Sequence, residues 1–193
     1  MRILLLLGLL PLLAACRAQE EQAQKNAESY AQQAMQLYSN GCVANGADEA
    51  KITAWAQEAK MQALSADEIQ KWGFEPAVRK AWGGHSPNGG RFLLAAGGQY
   101  CSVKARVADE AIVRREFMRL AEAGGGGLRA EPRGDLHTDA PFSLSQLAYA
   151  WNSEGSTNEW MLTATTSSAS EAPMQAALNM YVVPREITRA ISN

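Results

Sequence analysis

The stretch Arg91-Phe92-Leu93-Leu94-Ala95-Ala96-Gly97-Gly98-Gln99-Tyr100-Cys101-Ser102-Val103-Lys104-Ala105-Arg106-Val107 decides the fold of this chain. From Phe92 to Ala96 every position is apolar, which is how a strand covered on both faces reads. The second half alternates: Cys101, Val103, Ala105 and Val107 share one face, and Ser102, Lys104 and Arg106 share the other. Gly97-Gly98 is expected to make the two-residue turn between them, since such turns need positive φ. An apolar strand face needs a cover, and one follows at once. Asp109 is placed to cap a helix running to about Ala123, with Val113, Phe117, Leu120 and Ala121 as its buried stripe.

Three further strands are expected at about Ser143–Trp151, Glu159–Ser167 and Met174–Val183. In the last, Met174, Ala176, Leu178, Met180 and Val182 alternate onto one face, and the joins are rich in Ser, Gly, Asn and Pro. Residues 124–141 read as a long loop, either functional or disordered. Upstream, Ala23, Ala27, Tyr30, Ala34 and Leu37 recur at helical spacing, and Asn40-Gly41 is a stop signal. A second helix runs roughly from Asp48 to Leu64, and Ser65-Ala66-Asp67-Glu68 is a capping box opening a third. Pro76 is expected to start another helical turn or two reaching Trp82, with loop from Gly83 to Gly90. The class is therefore α+β: N-terminal helices, then a five-stranded antiparallel sheet with a helix between its second and third strands. That element order resembles the PAS, profilin and longin domains.

Composition excludes some functions. Of the 193 residues 47% are hydrophobic and 20% charged, and the formal net charge is −2. These are the proportions of an ordinary globular domain, with no basic stripe to follow a phosphate backbone, so nucleic acid is not an expected partner. The N-terminus is unusual. Arg2, an apolar run from Ile3 to Leu13 and the small residues Ala14-Ala15 form an export signal, too short to span a bilayer as a mature helix.

The ending Leu13-Ala14-Ala15-Cys16 resembles the lipobox of bacterial lipoproteins. That resemblance implies cleavage of residues 1–15, diacylglycerol on Cys16 and a chain held to the membrane through it. Residues 16–40 then form a helical stem and 41–193 a single α+β domain. Arg17, where lipoproteins retained in the inner membrane tend to carry Asp, implies passage to the outer membrane of a Gram-negative envelope. Cys42 and Cys101 remain as an even pair in an oxidising compartment, and a bridge between them is expected, with two buried free thiols as the alternative.

Residues able to carry chemistry are sparse. Asp135-Leu136-His137-Thr138-Asp139 puts an imidazole and two carboxylates on one face of an extended segment, yet lacks a completed zinc set. Arg133-Gly134-Asp135 spells the tripeptide that integrins recognise, and it is also plain turn chemistry. Gly124–Gly127 lacks the lysine of a phosphate loop, and the serines and threonines of 163–170 lack a base. No catalytic set, metal or cofactor is expected. The candidate binding surface is aromatic: Trp151 and Trp160 near the ends of paired strands, with His137 as a polar neighbour.

Cys42, Trp82-Gly83-Gly84, Phe92-Leu93-Leu94 and Gly98-Gln99-Tyr100-Cys101-Ser102-Val103 together resemble a family of small exported proteobacterial proteins, some of them lipidated. The resemblance covers residues 40–125, strengthens the expected bridge and carries no activity with it. The expected function is a lipid-anchored, non-enzymatic module that binds an envelope protein near the membrane surface. The alternative is a periplasmic sensor with a small-molecule cavity between sheet and helix.

Overall fold

The computed structural model describes residues 10–72 and 74–186, with side chains from residue 17 onward. Its helices are α1 (Leu10–Leu37), α2 (Glu49–Glu58), α3 (Ala66–Lys71) and α4 (Glu110–Ala123), with a π-helical turn at Tyr38–Val43. Its strands are β1 (Gln62–Ala63), β2 (Lys80–His85), β3 (Arg91–Gly97), β4 (Tyr100–Ala105), β5 (Arg129–Thr138), β6 (Leu144–Asn152), β7 (Asn158–Thr166) and β8 (Ala176–Pro184). All pair antiparallel in one sheet of order β1-β2-β3-β4-β8-β7-β6-β5. Two meanders thus meet at β4 and β8, and α4 carries the chain from the centre to the far edge.

The sheet corrects the expectation of five strands in a PAS- or profilin-like order. The five expected strands are its contiguous centre, β3-β4-β8-β7-β6, and three more flank them. β5 occupies the segment read as a loop. As an edge strand it is largely exposed, and Pro132 and Gly134 sit at a register shift, so its side chains carry no alternation. β2 replaces the expected helical turns and Gly-rich loop. Its Gly83-Gly84 pair is extended and bonded to Leu93 and Phe92, where side chains of neighbouring elements crowd the strand.

The glycines of the β3–β4 hairpin have separate jobs. The turn is Gly98-Gln99, one residue later than expected, and Gly98 takes φ 61°. Gly97 still belongs to β3 and lets the Ala77 carbonyl pass where a Cβ would stand.

Helices α1, α2 and α4 cover one face of the sheet. Leu94, Val103, Leu178, Leu162, Leu147 and Tyr149 point into that layer and meet Tyr38, Ile52, Val113 and Phe117. The Phe117 ring lies 6.3 Å from that of Tyr38 and 6.2 Å from that of Tyr149. The caps follow the sequence: Asp109 accepts from the Ile112 amide at 2.8 Å, Asp48 from Lys51 at 2.9 Å, and Ser65 and Glu68 close a capping box. Covering the second face at one end are α3 and the segment after it, where Lys104 lies 4.6 Å over the Phe74 ring.

Candidate functional site

Helix α1 enters the domain from an exposed start. Residues 17–25 of α1 are exposed all round, and burial begins at Tyr30. Those nine residues rise about 14 Å at 1.5 Å each. Docking starts where Gln24 donates to the Asp109 carboxylate at 2.9 Å and the Ala27 carbonyl accepts from the Asp109 amide at 3.0 Å. At the far end Asn40-Gly41 does not stop the helix. It widens into the π turn, where the Ala44 amide reaches back to the Ser39 carbonyl at 2.9 Å. Gly41 has no room for a free Cβ: Leu94 and Trp55 both stand 3.3 Å away. Tyr38, wholly buried, donates to the Asn179 carbonyl at 2.8 Å, and burial pushes its pKa well up, so it remains a neutral donor.

The π turn presents Cys42 to β4. Cys42 and Cys101 are joined, both fully buried, with Cα atoms 5.5 Å apart. Cys101 points to the helix-covered face, as alternation in β4 requires. Cys16 lies within α1, and its side chain is outside the described residues, as is the region 1–9 of the expected signal. Among the described residues no helix is long and apolar enough to cross a membrane.

Trp151 and Trp160 face each other across β6 and β7. Both lie on the helix-covered face, and Trp151 is only 3% exposed. Its indole N–H donates to the Ala121 carbonyl, 2.6 Å away, at the end of α4. It forms the floor of an open groove of about 730 Å³ between α1 and α4, walled by Met35, Val43, Arg119 and Leu120. Trp160 is half-buried against the core. The pair is therefore first a packing element.

His137 sits on β5, away from both tryptophans in the register, opposite Ser145. It is exposed, 2.9 Å from Asp139 and 3.2 Å from the Ser145 hydroxyl. Among the described residues no group of three His, Cys, Asp or Glu could hold a metal. Arg133-Gly134-Asp135 is not presented as a loop. Arg114 holds Asp135 through two contacts of 3.0 and 3.1 Å, and Arg133 is turned onto Glu131 at 3.0 Å and Glu159 at 2.8 Å. Glu159 is fully buried, with Arg185 3.8 Å away. Nothing in the sequence points to that carboxylate, because its burial depends on the β5–β6–β7 register.

Between the sheet and its helices, Tyr38, Ile52, Leu94, Val103, Val113, Phe117, Leu162 and Leu178 are all fully buried. Comparison with models of known families, with curated proteins and with solved structures returns no match.

Proposed function

We propose that this chain is an exported, lipid-anchored, non-enzymatic module that binds an envelope protein close to the membrane surface. Cys16 is the lipidation site and α1 the stem. The observation that carries this reading is mechanical continuity. One helix runs from Cys16 through an exposed stretch into the core, and its far end is joined through Cys42 to the central strand β4. A rigid stem attached at the centre of a sheet limits how far the domain can move from its anchor. A buried disulfide also fits an oxidising compartment. Lipidation on several acyl chains makes such attachment effectively permanent, at about 0.8 kcal/mol per buried methylene.

The test has two parts. Cells expressing the full chain are labelled with an alkyne fatty acid, and the label must appear on wild type and vanish in Cys16→Ala. The acylated protein is then recovered from crosslinked envelopes alongside the Cys16→Ala form. A specific protein partner enriched with the acylated form supports the reading. Absence of label, or a small molecule co-purifying with the domain and no protein, overturns it.

A further inference from the structure

The second face of the sheet sets two arginines side by side with no ion-pair partner for either among the described residues. His85 of β2 pairs directly with Arg91 of β3. Just past β4, the Arg106 amide donates to the Arg91 carbonyl at 3.4 Å. Two arginines and an imidazole therefore stand in one row across three neighbouring strands, all exposed. Among the described residues none of the three has an ion-pair partner. Lys104 lies one step further in, held 3.8 Å from Glu75. Like charges set opposite one another on strands are destabilising.

The row borders a cleft of about 230 Å³ between α3 and the sheet. Leu93 and Gly83 form its floor, and Leu64, Trp72 and Met174 its walls; Glu68 also lines it, its carboxylate accepting from Ser65 at 2.8 Å. Trp72 is 38% exposed, one of only three large hydrophobic side chains so open among the described residues. A Cβ on Gly83 would point at the Leu64 methyl 3.7 Å away, so glycine keeps the floor low. The cleft is smaller than the roughly 300–1,000 Å³ that encloses a whole small-molecule ligand. It is the size of a pocket for one side chain. The row beyond it spans about 10 Å, two strand spacings of roughly 4.8 Å, which is the reach of about three extended residues.

We infer that this cleft and row bind an acidic, extended segment of a protein partner, with one large apolar side chain in the cleft and the carboxylates after it on His85, Arg91 and Arg106. The inference rests on the binding-module reading for the partner being a protein, and on charge complementarity for its chemistry. Docking relieves the repulsion that the free protein carries.

The test uses the full chain and two fluorescein-labelled peptides, Leu-Glu-Glu-Glu and Leu-Gln-Gln-Gln, followed by anisotropy at low and high salt. The acidic peptide should bind at least tenfold more tightly, and salt should weaken it. Arg91→Gln/Arg106→Gln should lose at least tenfold, Trp72→Ala a similar amount, and Lys51→Gln, exposed on α2 over the opposite face, nothing. Because substitution removes repulsion, the double variant should unfold at the same or a higher urea concentration than wild type, so lost binding is not lost folding.

Equal binding of the two peptides, or unchanged binding by the double variant, overturns the inference. So does binding to vesicles containing 30% phosphatidylglycerol that depends on the row while the peptide fails. None of these arms involves Cys16. A failed lipid label therefore leaves the inference standing, and a captured partner indifferent to the double variant removes the inference and leaves the anchored module.

Discussion

Removing the Cys42–Cys101 bridge is the sharpest test of how the stem is held. The two cysteines are 59 residues apart in sequence. Closing a loop of that length restricts the unfolded chain by about 14 cal/mol/K, or about 4 kcal/mol at 25 °C, in the chain-entropy account. Domains of this kind are stable by only about 5–15 kcal/mol, so the bridge supplies a large share. The perturbation is the double variant Cys42→Ala/Cys101→Ala, which leaves no lone thiol behind. Both sites are fully buried, so small cavities add to the loss. With a urea slope of about 2 kcal/mol/M, the unfolding midpoint should fall by about 2 M, and the slope should stay the same or steepen as the unfolded chain loses its constraint. Reducing the wild-type protein should move its midpoint by a comparable amount and leave the variant untouched. A shift under about 0.5 M, or two reactive thiols in denatured, unreduced wild type, refutes the reasoning.

Three further outcomes follow from single contacts. Glu49 ties α2 to the hairpin turn by accepting the Gly98 amide at 2.8 Å, with Arg79 and Lys80 nearby, and these hold its carboxyl below the usual carboxylate range. Its contribution is present above the unfolded value, about pH 4.3, and is lost as pH falls through the lower folded value. Glu49→Gln should therefore be less stable than wild type at pH 7, with the gap closing near pH 3 in urea titrations. Trp151→Phe removes the indole donor from the Ala121 carbonyl, which keeps only the longer Gly124 amide contact of 3.4 Å, and should cost about 0.5–1.5 kcal/mol by the same assay. Arg133→Ala removes the nearest cation from the buried Glu159, leaving Arg185 at 3.8 Å, and should cost about 1–3 kcal/mol. Adding Glu159→Gln should recover much of that in a double-mutant cycle, and purely additive losses would show that the pair is not coupled.

The parts of the fold legible in the sequence were those decided by neighbours a few residues away or by burial of one face. Asp109, Ser65 and Glu68 cap because each side chain reaches its own helix. The alternation of β4 and β8 told which residues face the helices, and so placed Cys101 on the side of Cys42. β5 and β2 were illegible for a shared reason: hydrophobic patterning reports burial, whereas membership of a sheet is a matter of backbone pairing. β5 lies at an edge and β2 carries two glycines, so neither needs apolar alternation to hold its place. The aromatic surface was half legible. Spacing placed Trp151 and Trp160 near the ends of paired strands, but their common face followed from the β6–β7 register and the burial of Trp151 from α4 ending beside it.

The sequence by itself determined the helix caps, the central strands and which faces they bury, because these depend on local chemistry and on periods of 2 and 3.6 residues. Only the tertiary structure decided which strands are neighbours. His85, Arg91 and Arg106 become one row solely because β2, β3 and β4 pair in that register, and Arg133 meets Glu159 solely because β5 returns to the far edge. Register is set by the collective burial of a whole face, so no short stretch of chain encodes it alone.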